Sequence, residues 1–122
     1  MAERLTEQVI GLAITVHRHT GPGMLESVYE QCLCFELHNA GVPFERQVSL
    51  PVMYRGQEIG EGFRADIIVA RTLIVEVKAV AAVLPPHEAQ LRTYLRMSSL
   101  RIGLLMNFNE PTLVNGLRRF IV

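Results

Sequence analysis

The stretch Leu73-Ile74-Val75-Glu76-Val77-Lys78-Ala79-Val80 constrains most tightly what this chain can fold into. Side chains alternate across a strand, so Leu73, Val75 and Val77 leave one face and Ile74 and Val80 the other. A strand that is apolar on both parities is covered on both faces, which requires other elements packed above and below its sheet. Two charges interrupt the run. Glu76 and Lys78 are two apart and share a face, and a charge in such a strand is costly unless something compensates it. An ordinary surface ion pair is one explanation; an acid and a lysine held together for chemistry is the other.

The elements around this strand follow from periodicity. Leu5, Val9, Leu12 with Ala13, and Val16 recur at helical spacing and predict a helix over about residues 3–19, stopped by Thr20-Gly21-Pro22-Gly23. A second helix is expected from about Leu25 to Ala40, with Gly41 as its C-terminal cap. From Phe44 the period becomes two, giving a strand to Tyr54 in which Pro51 marks an edge or an irregular point. A second strand covers about Glu58 to Val69, bent or bulged near Gly60 and Gly62, before the opening strand. Pro85 and Pro86 suit the first turn of a third helix, and Glu88 suits the positive end of its dipole. Arg101 to Phe108 reads as a short apolar strand, and Thr112 to Val122 as a final strand or short helix. The order α-α-β-β-β-α-β describes an α/β (α+β) fold, helices flanking a mixed central sheet.

A chain of 122 residues suits one domain with one core, spanning 1–122. No apolar run reaches membrane-span length, and the N-terminus lacks the features of a secretory signal. Cys32 and Cys34 fall on different sides of the second helix and read as reduced, partly buried thiols, so a cytoplasmic setting is expected. Net charge is zero, yet residues 1–70 hold five Lys/Arg against nine Asp/Glu and residues 71–122 seven against three. The whole chain therefore lacks the basic footprint usual for a nucleic-acid binder, although its C-terminal half could supply one locally.

The loop between the second and third strands decides which side chains meet. With Ala70-Arg71-Thr72 as a three-residue loop, Val69 pairs with Leu73 and Asp66 comes opposite Glu76. Cross-strand Cβ atoms lie about 5 Å apart, and two carboxylates that close repel unless a cation intervenes or one keeps its proton. Lys78 is one counter-charge; a divalent metal is the other, since Mg²⁺ accepts one or two carboxylates plus waters and substrate oxygens. A two-residue loop would put the acids on opposite faces. In the third helix Gln90 and Tyr94 are four apart and share a face. His17 and His19 do not face one another and read as surface or helix-end residues. His87 reads as structural, with phosphate contact the sharper alternative. Arg92, Arg96 and Arg101 form either a solvated face or a phosphate-contacting stripe.

Asp66, then Glu76-Val77-Lys78, then a helix with Gln90-x-x-x-Tyr94, resembles the PD-(D/E)XK nuclease superfamily, whose restriction-endonuclease-like core has a similar succession of elements. Gly23-x-x-Glu26-x-x-Tyr29 resembles the signature of the small GxxExxY proteins, a branch of that superfamily. The likeness runs from Val16 to Phe108 and beyond. One departure is Ala65, where the superfamily's name has proline before the acid. The resemblance implies a Mg²⁺ site, with Mn²⁺ as substitute, made by Asp66, Glu76, the backbone carbonyl of Val77 and one glutamate of the second helix. Of Glu26 and Glu30 there, the signature favours Glu26. It also implies that Lys78 orients or deprotonates the attacking water and that Gln90 and Tyr94 contact water or phosphate. The expected activity is hydrolysis of DNA or RNA. A catalytically silent interaction module and an enzyme acting on another phosphorylated substrate are the alternatives. A unit this small offers little surface to hold a duplex, so a homodimer or a protein partner is expected.

Overall fold

The structure is a computed structural model and describes residues 2–60 and 62–122. Helices α1 (Ala2–Thr20) and α2 (Glu26–Asn39) precede strand β1 (Phe44–Leu50). A small hairpin, β2 (Met53–Tyr54) and β3 (Gln57–Glu58), leads to β4 (Phe63–Val69) and β5 (Leu73–Lys78). Helix α3 (Pro85–Ser98), β6 (Ile102–Asn107), a 3₁₀ turn (Leu113–Gly116) and β7 (Leu117–Ile121) complete the order. The main sheet runs β1-β4-β5-β6-β7. Among the described residues only β5 and β6 pair in parallel, joined by the α3 crossover, so the sheet is mixed as expected, with β5 at its centre.

Both faces of β5 are covered. Leu73, Val75 and Val77 join Ile67, Val69, Leu104 and Met106 beneath α1 and α2, whose Val9, Ala13, Val16, Tyr29, Leu33 and Leu37 complete that core. Ile74 joins Ala65, Ile68 and Leu105 beneath α3, against Leu91, Tyr94 and Leu95. Gly103 lets α3 come close, because a Cβ there would meet Leu91 side-chain carbons at 3.0 Å. The end of α2 is capped as the glycine implies. Gly41 lies at φ +69°, its N–H donates to the His38 carbonyl, and the Val42 N–H donates to the Leu37 carbonyl.

Several expectations need correction. The strand from Phe44 stops at Leu50, where proline removes a ladder donor, and Met53–Tyr54 belongs to the separate hairpin. The expected strand from Glu58 to Val69 is likewise broken between Glu58 and Phe63, with Gly60 and Gly62 both at positive φ; Glu61 lies outside the described residues. The C-terminal segment is both of the forms considered, a 3₁₀ turn and then an edge strand. His17 is buried rather than superficial, because its Nε2–H donates to the Glu110 carbonyl at 2.8 Å and ties α1 to the loop after β6. Cys32 and Cys34 are free thiols, and burial pushes Cys34 up to about 11. Among the described residues no helix is long and apolar enough to cross a membrane.

A buried asparagine fixes the far end of β5. Asn107, 1% exposed, accepts from the N–H of Val80 and of Asn109 and donates to the Val80 carbonyl. The Phe108 N–H adds a bond to the Lys78 carbonyl. Removing the amide leaves part-buried backbone groups without partners, each costing roughly 1–3 kcal/mol. Asn107→Ala is therefore expected to lower unfolding free energy by about 3 kcal/mol in urea titration, and a loss under about 1 kcal/mol would contradict the anchoring role.

Candidate metal and nucleic-acid site

The two acids arise where β4 and β5 part company. The ladder pairs Val69 with Leu73, Ile68 with Ile74 and Ile67 with Val75, so the three-residue loop puts Asp66 opposite Glu76. Ala70 and Arg71 both adopt left-handed φ in that loop, and the Thr72 N–H closes it on the Val69 carbonyl. Regular pairing ends at Ile67. Beyond it each strand offers an N–H to the other's carboxylate: Asp66 N–H to Glu76 Oε2 at 2.7 Å, and Val77 N–H to Asp66 Oδ2 at 2.9 Å. The carboxylates replace the missing rungs.

Their electrostatics follow from burial. Glu76 is 4% exposed, and desolvation, then the neighbouring Asp66 charge, push its carboxyl up to about 8. The Asp66 N–H and Lys78 oppose that rise without cancelling it. Asp66 is raised as well, first by burial, with Glu30 and Glu26 adding repulsion against the help of the Val77 N–H and Lys78. Lys78 is half-buried on the same strand. Among the described residues the ion pairs are Arg46–Glu30 and Arg118–Glu88, so Glu76 and Lys78 do not form the plain surface pair that composition allowed.

Helix α2 approaches from one side. Gly23 lies at φ +104°, and the Tyr29 hydroxyl donates to the Gly21 carbonyl and accepts from the Met24 N–H. Tyr29 also stacks on Phe108, with centroids 4.6 Å apart, so this tyrosine builds the loop that starts α2 rather than the chemistry. Glu26, one turn before it, is exposed, and its Oε2 accepts from the Ala79 N–H at 3.3 Å, just past Lys78. Glu30 is the glutamate that turns inward, 5% exposed and bound by Arg46 and Gln47.

Helix α3 closes the other side. Tyr94 is buried, its ring 5.3 Å from that of Phe63. Burial and then the Glu76 charge raise its phenol, while hydrogen bonds to the Arg64 backbone and the Gln90 side chain hold it down. Tyr94 thus lies near the carboxylates, and Gln90 stands one turn before it on α3. A polar cleft of about 430 Å³ opens beside Phe63, lined also by Ser49, Glu58, Gly60, Gly62 and Arg64. His87 stays out of the site, its Nδ1 accepting from the Leu84 N–H at the start of α3. Arg92 packs over Phe120 and Arg96 bonds Thr93, so neither is committed to the site.

A family model described as the PD-(D/E)XK nuclease superfamily matches residues 3–120. The chain belongs to that superfamily. Comparison with curated proteins finds no match, and comparison with solved structures finds none either. In this PD-(D/E)XK chain no three or more His, Cys, Asp or Glu side chains gather closely enough to hold a metal ion, among the described residues. The donor chemistry nonetheless suits a hard divalent cation. Mg²⁺ takes one or two carboxylates and fills its shell with water, and two crowded acids favour a cation where a proton otherwise resides.

Sequence reasoning missed Asn107 and the pair Arg46–Gln47. A polar residue ending the apolar run Leu104-Leu105-Met106 was a signal of the same kind as Glu76. Gln47 carried none, because the alternation from Phe44 to Tyr54 runs straight through it.

The raised Glu76 carboxyl has a stability consequence. Between its unfolded value of 4.5 and about 8 the folded protein binds the extra proton, so metal-free stability falls as pH rises through that window. The slope is at most about 1.4 kcal/mol per pH unit. Thermal melts with chelator between these limits are expected to show the decline, and Glu76→Gln to flatten it. A wild-type midpoint that rises with pH there would contradict the assignment.

Proposed function

We propose that this chain is a metal-dependent nuclease that hydrolyses phosphodiester bonds of DNA or RNA. The observation that carries the reading is the acid pair of half-buried Asp66 and buried Glu76, with Lys78 two residues on, where β4 and β5 separate in a superfamily member. Burying one carboxylate against a second, half-buried one opposes folding, so their presence is better explained by chemistry than by stability.

Asp66, Glu76 and the Val77 carbonyl would hold Mg²⁺ or Mn²⁺, with Glu26 at the open edge completing the set. Glu30 is already bound by Arg46 and Gln47, which supports Glu26 as the helix contribution. A cation bound there supplies a lowered pKa for the attacking water and positive charge against the phosphate. Lys78, a hydrogen-bond donor, would orient that water through its oxygen and offset charge on the phosphoryl oxygens. Gln90 donates from its amide, and the Tyr94 hydroxyl, kept protonated by its surroundings, holds water or a phosphate oxygen. Burial by α2 and α3 strengthens each of these interactions.

A second reading is a silent module that keeps the fold for interaction. The engagement of both carboxylates with backbone N–H groups, rather than a gathering of three ligands, favours it. Cleavage assays on single- and double-stranded DNA and RNA with Mg²⁺ or Mn²⁺ separate the two. Glu76→Ala and Lys78→Ala, each checked by thermal melting, are expected to reduce cutting by about a hundredfold or more. A wild type that cuts none of these substrates would leave the module.

A further inference from the structure

We infer that Arg46, held by Glu30, which Gln47 also binds, is a phosphate-binding arm on the strand beside Asp66, taking a backbone phosphate that flanks the bond to be cut. This rests on the nuclease reading above.

The arm is a built arrangement. Glu30 is 5% exposed and accepts from Arg46 Nε at 2.6 Å and from Gln47 Nε2 at 2.9 and 3.0 Å. Consecutive residues of a regular strand point to opposite faces, so Arg46 and Gln47 could not both reach one carboxylate. They do so because Gln47 has φ +52°, left-handed backbone inside a strand. That conformation costs a residue other than glycine roughly 1–2 kcal/mol. It also falls where β1–β4 pairing lapses: Arg46 pairs with Ile67 and Val48 with Ala65, leaving Gln47 across from Asp66.

Two unfavourable features therefore adjoin, a buried carboxylate and a strained backbone, next to the proposed catalytic acid. A buried ion pair is poor evidence of stabilisation, since apolar residues of the same volume commonly serve as well. Strained backbone gathers at functional sites. What the arrangement achieves is orientation. Arg46 is fixed through Nε alone, its side chain is 40% exposed, and among the described residues its terminal amino groups donate to nothing. A planar guanidinium pinned at one nitrogen, with its other donors facing solvent, is prepared for phosphate. The need is plain from charge. Asp66 and Glu26 repel a polyanion, and Arg46 stands among five basic residues in the first 70.

The test is binding of a fluorescein-labelled oligonucleotide, read by anisotropy with chelator present and KCl raised from about 50 to about 200 mM. Glu30→Gln/Arg46→Gln replaces the ion pair by two amides that can still hydrogen-bond. It is expected to raise Kd about tenfold and to reduce the slope of log affinity against log salt by about one, with the thermal midpoint kept. Arg46→Lys is expected to keep the slope but recover only part of the affinity. Wild-type affinity and slope in the folded double variant would overturn the arm; if that variant unfolds, wild-type affinity in Arg46→Lys overturns it instead. A wild type that binds with the expected variant losses, yet cuts nothing with Mn²⁺, retains the arm and removes the nuclease reading. A wild type that binds no oligonucleotide overturns the arm, while cleavage with Mn²⁺ decides the nuclease reading separately.

Discussion

The exchange of carboxylates across β4 and β5 is the constraint on which the rest of the architecture depends. Asp66 and Glu76 each accept an N–H from the opposite strand, so the sheet separates there without leaving those donors unpaired. Were both positions apolar, the ladder could continue and the sheet would close. The acids hold it open, and α2 and α3 cover the gap from the two faces. Asn107 then prevents the strand carrying Glu76 and Lys78 from drifting at its free end.

Much of this was legible from residue order alone. The double-sided apolar pattern of β5 called for helices on both faces, and they are there. The loop length set the register of the acids correctly. The prolines and glycine that bound α3 and α2 acted through local backbone geometry, the kind of signal a sequence carries well. What escaped depended on distant partners. Glu26 and Glu30 share a helical face, and only β1 decides that Glu30 is the one buried. His17 lies one residue from exposed positions, and only the Glu110 carbonyl draws it inward. The left-handed turns at Ala70, Arg71 and Gln47 occur without glycine, so no composition signal announced them.

The signature Gly23-x-x-Glu26-x-x-Tyr29 is also clearer as physics than as a pattern. Its glycine permits a turn, its tyrosine holds that turn closed, and its glutamate is delivered to the end of β5. Two of its three residues shape backbone so that the third reaches the Ala79 N–H. Such a motif can persist in a chain whatever the fate of its chemistry, because losing Tyr29 would also loosen the start of α2.

The closeness of Asp66 and Glu76 along the chain, ten residues, bears on how the protein folds. The β4–β5 hairpin is the most local of these contacts and can form early, whereas α2 and β6 join β5 from farther away in sequence. The acids therefore meet while water still surrounds them and their charges are well screened. Desolvation comes only as α2, α3 and β6 dock, so proton uptake by Glu76 belongs to the late steps of folding. Refolding at alkaline pH should accordingly slow in its final consolidation rather than in formation of the hairpin.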